Sequence, residues 1–291
     1  MSRGRPPSTM ISAVVSDVDG TLVTDDKVLT ARTRAAVAGL RARDIAFAII
    51  SSRPPRGLRM LIDALGITTP IAGFNGGLVT TPGLSPLTQH LMSPVAARQA
   101  IEIIEAHAAQ AWLFHGEDWL TRDPAGPYVG LEQKTILYPP IIVEDFGAAL
   151  DAASKIVAVS DDFDLLTRLE PIARAALAEN AVIARSQSYY LDFTHPLANK
   201  GVALSELAQL LSIPVAEIAV IGDGGNDVAM FERAGLSIAM GNAVPQVQAA
   251  ADFVTAPNSQ DGFAKAIERY VLGGDRVSAP ASRAAAGSRI R

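Results

Sequence analysis

The sequence predicts an α/β protein: a parallel-sheet core interrupted by a smaller inserted α/β module. Three observations carry that expectation. Short apolar runs alternate with helical patterns over residues 11–65, and they alternate again over residues 199–270. Alternation of this kind implies parallel strands covered by helices, because each parallel crossover needs room for one. The block between has its own periodicity, so half of the core sheet is expected before it and half after it.

In order, the first apolar run, residues 11–15, reads as a buried strand and is followed by a helix pattern over 31–43. A second strand is expected at 45–50, then a helix over 56–65 that Gly66 stops. Within the inserted block the pattern gives a helix over 95–109 and strands at 111–114, 119–121, 155–160 and 181–185. A helix over 164–177 contains Pro171, which is expected to kink or break it. Asn199-Lys200-Gly201 opens an amphipathic helix over 202–211; a strand at 215–221 and a helix over 228–234 follow, with Gly235 as its stop. The core is therefore assigned to residues 10–82 and 192–272 and the insert to 83–191, with hinges near 80–83 and 193–196. Residues 1–9 and 273–291 are Arg-, Pro-, Ser- or Ala-rich, lack apolar periodicity and are read as disordered tails.

The chain has 291 residues, 49% of them hydrophobic, ample for one large or two modest domains. Its net charge of −5 comes from 25 basic and 30 acidic residues, without the clustered Lys and Arg of a nucleic-acid surface. Cysteine is absent, which removes disulfide and thiolate chemistry and fits a reducing cytoplasm. The first apolar run is short and reaches Asp17 almost at once, unlike a signal peptide. No apolar run reaches the roughly 18–20 residues that span a bilayer. The expectation is a cytoplasmic protein with a small-molecule partner, no nucleic acid and no membrane, its oligomeric state left open.

The chemistry is concentrated where strands end. Asp17-Val18-Asp19-Gly20-Thr21 directly follows the first strand, so the two acids can point the same way and Gly20 permits a sharp turn. Converging carboxylates repel unless a cation or proton lies between them, and hard oxygen ligands suit Mg²⁺. Far downstream, Gly222-Asp223-Gly224-Gly225-Asn226-Asp227 follows another buried strand. In open α/β sheets ligands bind beyond the carboxyl ends of the strands, so both acidic ends are expected to face one crevice. Ser51-Ser52-Arg53-Pro54 ends the second strand, where hydroxyls and backbone N–H groups can hold a phosphate. Lys200 adds an ammonium.

These elements in this order (Asp17-x-Asp19-Gly-Thr, Ser51, Lys200 and Gly222-Asp223-x-x-Asn226-Asp227) resemble the four motifs of the haloacid dehalogenase superfamily of phosphohydrolases. More narrowly the chain resembles the Cof-type sugar-phosphatase branch, whose α/β cap is inserted between the second and third motifs. Asn75-Gly76-Gly77 is similar to that branch's Asn-Gly turn, and the resemblance covers roughly residues 10–272. It departs in the second motif, where the usual Thr-Gly-Arg is Ser51-Ser52-Arg53; Ser52 leaves less room for close backbone approach than Gly.

The resemblance implies a Rossmann-like core and a Mg²⁺-dependent phosphatase of small phosphorylated metabolites, sugar phosphates or a phosphorylated cofactor. Asp17 would be the nucleophile that forms an aspartyl-phosphate, and Asp19 the general acid and base. Asp17, Asp223, Asp227 and the Asp19 backbone carbonyl would serve the metal, with Asp227 acting directly, through water, or by orienting Lys200. Ser51, Ser52, Arg53, Lys200 and Asn226 would serve the phosphate. A phosphomutase using the same intermediate, or a non-catalytic module binding a phosphometabolite, are the alternatives. The related sucrose-phosphate and mannosyl-phosphoglycerate phosphatases share the core and differ in the cap.

Other residues carry less. A solvated helix-start lysine is the bland reading of Lys200, but Gly201 after it and its place in the motif order favour the functional role; Arg53 divides evenly between a surface arginine and a phosphate or cap contact. His115 reads as a surface histidine, Trp112 and Trp119 as core, and His195 has no partner at ligand spacing. At most one of Tyr189 and Tyr190 is expected to face a cleft, since neighbours on a strand point opposite ways. Asn75 reads as a turn residue, and Asn242 as shaping a loop outside the chemistry.

Overall fold

The computed structural model describes residues Met10–Gly273. The segments expected to be disordered lie outside the described residues, Gly273 excepted. In chain order the first strands are β1 (Ala13–Ser16), β2 (Ala46–Ile49), β3 (Ile71–Gly73), β4 (Leu78–Thr80) and β5 (Pro86–Gln89). Next come β6 (Gln110–His115), β7 (Asp118–Thr121), β8 (Ile141–Ile142), β9 (Lys155–Val159), β10 (Val182–Gln187) and β11 (Tyr190–Thr194). The last are β12 (Ile218–Gly222), β13 (Leu236–Ala239) and β14 (Phe253–Val254). The helices used below are α1 (Ala31–Arg41), α2 (Arg59–Leu65), α3 (Pro94–Ala106), α4 (Val129–Ile136), α5 (Phe163–Leu177) and α6 (Lys200–Leu211).

Two compact units emerge, one of residues up to Phe47 and from Ser212 onward, the other of Ala48–Leu211. The expected boundaries at 82/83 and 191/192 both fall inside the second unit, the latter within strand β11.

The first unit is built on a sheet of order β14-β13-β12-β1-β2, whose β1–β12, β12–β13 and β13–β14 pairs are parallel. Every residue of β1, β12 and β13 is buried. Unbroken apolar burial, rather than alternation, is what a parallel sheet covered on both faces demands. α1 buries Thr33, Ala36, Val37 and Leu40 along one stripe, and its N-terminus is capped by Thr30 Oγ1, which accepts from Thr33 N–H.

The second unit holds a three-stranded antiparallel sheet, β3-β4-β5, and a six-stranded sheet of order β10-β11-β9-β6-β7-β8. The larger sheet has two different faces. One carries Leu113, Ile156, Ala158, Leu191 and Phe193 against Ile101 and Ile104 of α3 and Leu166, Leu169 and Leu177 of α5. The other carries Trp112, Phe114, Trp119, Val157, Val159 and Tyr190 against Val129 and Ile136 of α4, with Tyr138 and Phe74. By strand alternation Lys155 and Asp192 belong to this second face. β6 and β7 form a hairpin through Gly116 (φ 58°), and Trp112 and Trp119 are fully buried, as expected of core residues.

The α/β class, with a parallel-sheet core and additional sheets, agrees with expectation. Three local features do not. α5 runs unbroken through Pro171, because the buried stripe Leu166, Leu169, Ala173 and Leu177 outweighs the one backbone bond that proline forgoes. The segment read as a hinge near 193–196 begins inside β11, which pairs with both β9 and β10. Residues 80–83 lie in a hairpin turn between β4 and β5, where Thr81 N–H donates to Ser85 O and Leu84 N–H to Thr81 O. Among the described residues, no helix is long and apolar enough to cross a membrane.

Candidate active site

In the first unit, two acidic loops leave adjacent strands. β1 and β12 pair from Ala13↔Ile218 to Ser16↔Ile221, and Asp17 N–H extends the ladder by donating to Ile221 O at 2.9 Å. The chain moves from β1 to β2 on one side, whereas β12, β13 and β14 lie on the other. The strand order therefore reverses at the β1–β12 junction, the position at which open α/β sheets form a binding crevice.

Asp17, Asp223 and Asp227 each present a carboxylate oxygen there, all three within 4.8 Å of one another. Asp17 is 6% exposed and Asp227 is fully buried. Their charge is supported by dipolar donors. Asp227 Oδ2 accepts from the N–H groups of Asp223 (2.9 Å) and Gly224 (2.8 Å). Asp223 Oδ1 accepts from the Thr21 hydroxyl (3.1 Å), and its Oδ2 from Asn242 Nδ2 (3.1 Å), which also donates to Gly20 O (3.0 Å). Gly20 has a φ of +81°, and a Cβ on it would lie 2.2 Å from Asp223 Oδ2, so this approach is open to glycine alone. Three crowded carboxylates with all-oxygen donor chemistry fit a hard divalent cation such as Mg²⁺.

The Asp19 carboxylate is not one of the three. It forms an ion pair with Lys27, Nζ to Oδ1 at 2.7 Å, and remains 25% exposed. Asn226 is exposed, on the single turn Gly225–Asp227 that follows β12.

The second unit brings the remaining predicted residues together around one turn. Ser51 N–H donates to Ala72 O (2.9 Å), Asn75 N–H to Ser51 O (2.8 Å) and Phe74 N–H to Arg53 O (2.9 Å). Ser51 is buried, and its hydroxyl accepts from Arg53 N–H at 3.1 Å. Phe74, Asn75 and Gly76 all take positive φ (52°, 58° and 101°). A Cβ on Gly76 would lie 2.7 Å from Ala203 Cβ and 3.1 Å from Asn199 O, which places this turn against the start of α6. Lys200, the first residue of α6, is 1% exposed, which removes the solvated-lysine alternative. Asn199 Oδ1 accepts from Val202 N–H at 2.9 Å and so caps that helix. Ser52 is absent from the positive-φ positions, so a side chain there costs no left-handed strain. Arg53 is buried, and its guanidinium donates to Thr135 O of α4 at 3.1 Å.

His195 stacks on His90, ring centroids 5.6 Å apart, and its Nδ1 accepts from Leu197 N–H. Burial, and secondarily His90, lowers its pKa. Tyr189 and Tyr190 do not part to opposite sides: their rings meet edge to face at 4.6 Å.

Sequence reasoning missed Thr21, Lys27 and Asn242. Thr21 lay inside the quoted motif without a role. Asn242 follows β13, and its approach to Asp223 becomes visible once β13 is known to lie beside β12.

Known proteins agree with this arrangement. Over 260 residues the chain is 27% identical to a putative phosphatase of Haemophilus influenzae, covering 89% of this chain and 98% of that protein. It is also 27% identical to a 5-amino-6-(5-phospho-D-ribitylamino)uracil phosphatase of Bacillus subtilis, covering 90% and 99% of the two chains. The solved structure of a haloacid dehalogenase-like hydrolase from Bacteroides thetaiotaomicron superposes with a TM-score of 0.81 at 27% identity, over 89% of this chain and 99% of that one. Residues 14–267 match the family of haloacid dehalogenase-like hydrolases, and with the four motifs in place the chain belongs to that family and is a hydrolase.

Proposed function

We propose that this hydrolase is a Mg²⁺-dependent phosphatase of small phosphorylated metabolites, acting through an aspartyl-phosphate on Asp17. The observation that carries the reading is the position of Asp17: a buried carboxylate at the end of β1, within 4.8 Å of the carboxylates of Asp223 and Asp227. Asp17, Asp223 and Asp227 are the side chains that would hold Mg²⁺, with the Asp19 carbonyl as a backbone ligand. When bound, the ion supplies Lewis-acid neutralisation of charge on the transferring phosphoryl oxygens.

Asp17 attacks phosphorus, and the bond to the leaving oxygen breaks as the aspartyl-phosphate forms; water then cleaves the acyl phosphate and restores the carboxylate. Two steps thereby replace one difficult displacement. Asp19, partly exposed and outside the three-carboxylate group, is assigned the proton transfers, first to the leaving oxygen and then from the attacking water. The motif order assigns Ser51, Ser52, Arg53, Lys200 and Asn226 to the phosphate, where N–H, hydroxyl and ammonium donors stabilise charge spread over three oxygens. Residues 83–191 are proposed as the cap and residues 10–82 with 192–272 as the core. A sugar phosphate or a phosphorylated cofactor precursor is the proposed substrate class, supported by the relative named for a phosphorylated ribitylaminouracil.

Phosphate release from a panel of phosphorylated metabolites, with Mg²⁺ and with chelator, tests the reading. Release that needs both Mg²⁺ and Asp17 supports it. Undiminished release by Asp17→Asn sinks the nucleophile assignment, and binding without release by the wild type moves the non-catalytic reading ahead.

A further inference from the structure

The second face of the six-stranded sheet carries ionic and polar groups that the proposed chemistry does not use. Lys155 on β9 and Asp192 on β11 are 7% and 3% exposed, and Lys155 Nζ lies 2.7 Å from Asp192 Oδ2. Asp192 Oδ1 has no hydrogen-bond partner among the described residues, and neither do Trp119 Nε1 and Tyr138 Oη, both buried on the same face. Glu132 of α4 completes the group: its Oε2 accepts from the Tyr190 hydroxyl at 3.2 Å, and it remains partly exposed. Tyr128 and Tyr189, partly exposed beside it, stack with ring centroids 4.0 Å apart and planes 8° from parallel, and Tyr190 meets Tyr189 at 4.6 Å.

A packed core has no use for this arrangement. Burying an ion pair costs more desolvation than its attraction readily returns, and a buried acceptor without a donor costs more still. An unsatisfied buried group in a folded protein calls for an explanation, and a functional role is one of them. The cluster is also tied to the candidate phosphate loop of the same unit. Arg53 N–H donates to Ser51 Oγ, and its guanidinium donates to Thr135 O, three residues beyond Glu132 on α4. Burial raises the pKa of Glu132, while Lys155, Tyr190 and Arg53 pull it back down, so the charges of this cluster act on one another directly.

We propose that Glu132 binds the leaving group of the phosphorylated substrate, and that Asp192, Lys155 and Tyr190 position it to accept a hydrogen bond from a hydroxyl or amino group on that substrate. The proposal rests on the phosphatase reading and deepens it. Carboxylate acceptors beside partly exposed tyrosine faces suit a compact polar group with a flat side. A polyol and an amino-substituted ring share that chemistry.

The experiment uses the full chain as wild type, Glu132→Gln and Tyr190→Phe. It compares kcat/KM for the best of a set of alditol, sugar and amino-heterocycle monophosphates with kcat/KM for acetyl phosphate, whose leaving group has no donor. Glu132→Gln keeps shape and removes charge, and is expected to lower the ratio of the two by about 10- to 100-fold, with Tyr190→Phe lowering it less. A deoxy or deamino analogue of the best substrate should show no such drop between wild type and Glu132→Gln. The preferred half of the set tells polyol from ring. An equal fall on every compound overturns the proposal in favour of a structural role, and no fall on any compound overturns it outright. Binding of the same set to Asp17→Asn, with and without Glu132→Gln, separates the two readings. If the wild type releases nothing but Glu132→Gln weakens binding of donor-bearing compounds selectively, the phosphatase reading fails, and with it the leaving-group role, while Glu132 holds as a recognition residue for a phosphorylated ligand. Without such selectivity, both fail.

Discussion

Each unit buries carboxylates, but each supports them differently. In the first unit Asp227 is held by two backbone amides, and Asp223 by a hydroxyl and a side-chain amide. In the second, Asp192 faces the ammonium of Lys155. Dipolar donors stabilise a negative charge without neutralising it, so acids held that way keep their capacity for a cation. An ammonium cancels the charge, and what remains is a polar surface suited to neutral hydrogen-bonding groups. On the proposed reading the same residue type serves a metal in one place and recognition in the other, and its donors decide which.

The comparison breaks most visibly at Asp17. Asp17→Asn is isosteric and should lower kcat for phosphate release by at least about 10⁴-fold, the scale seen when a nucleophile is removed, with the thermal unfolding midpoint near the wild-type value. A loss under tenfold in steady-state assays would end the assignment. In the second unit the corresponding change acts on stability. Lys155→Met leaves Asp192 buried without its cation and should cost about 3–5 kcal/mol in urea unfolding. Adding Asp192→Leu should recover most of that loss, because replacing both partners removes the uncompensated charge. A single variant as stable as the wild type would overturn this account of the pair.

Gly20→Ala tests the crowding of the first centre. A residue at φ +81° other than glycine costs about 1–2 kcal/mol, and the new Cβ must displace Asp223 Oδ2. The Mg²⁺ concentration for half-maximal activity should rise at least about tenfold. Lower stability with an unchanged Mg²⁺ requirement would separate the loop's geometry from metal binding.

These variants differ in how far the sequence announces them. Asp17, Asp223 and Lys200 follow or open regular elements whose apolar patterns are plain, so their positions could be read from strand ends and a helix start. The parallel core was legible for the same reason, since short unbroken apolar runs between helices fit strands buried on both faces and little else. Asn242 was not, because its contact with Asp223 depends on β13 lying next to β12, and sheet order is a property of pairing that no local pattern encodes. The cluster around Glu132 was least legible. Its members sit on β9, β11 and α4, separated by up to 60 residues, and two of those elements were not anticipated. The hinge expected at 193–196 overlaps the end of β11, whose pairing with β9 and β10 on either side is what buries its polar residues. Pro171 shows the converse, where a strong local rule gave way to a buried stripe.

The smallest effect sharpens the comparison further, because it reports which way the charge balance tips in the second unit. Burial is the dominant influence on Glu132 and raises its pKa; Asp192 adds to the rise, and Lys155, Tyr190 and Arg53 oppose it. An unfolded glutamate titrates near about 4.3. With the folded value above that, the contribution of Glu132 to stability is fully present below the unfolded pKa and is lost as pH rises through the folded one. The slope cannot exceed about 1.4 kcal/mol per pH unit for one proton. Glu132→Gln cannot ionise, so the stability of the wild type relative to this variant should fall as pH increases from about 4, then level off once the folded group has lost its proton. Urea unfolding of both proteins across that range measures the difference. If the wild type instead gains on the variant as pH rises, the cations prevail over burial, and Glu132 meets its ligand as a carboxylate throughout. If it loses, burial prevails, and Glu132 donates as well as accepts only at pH values below its raised pKa.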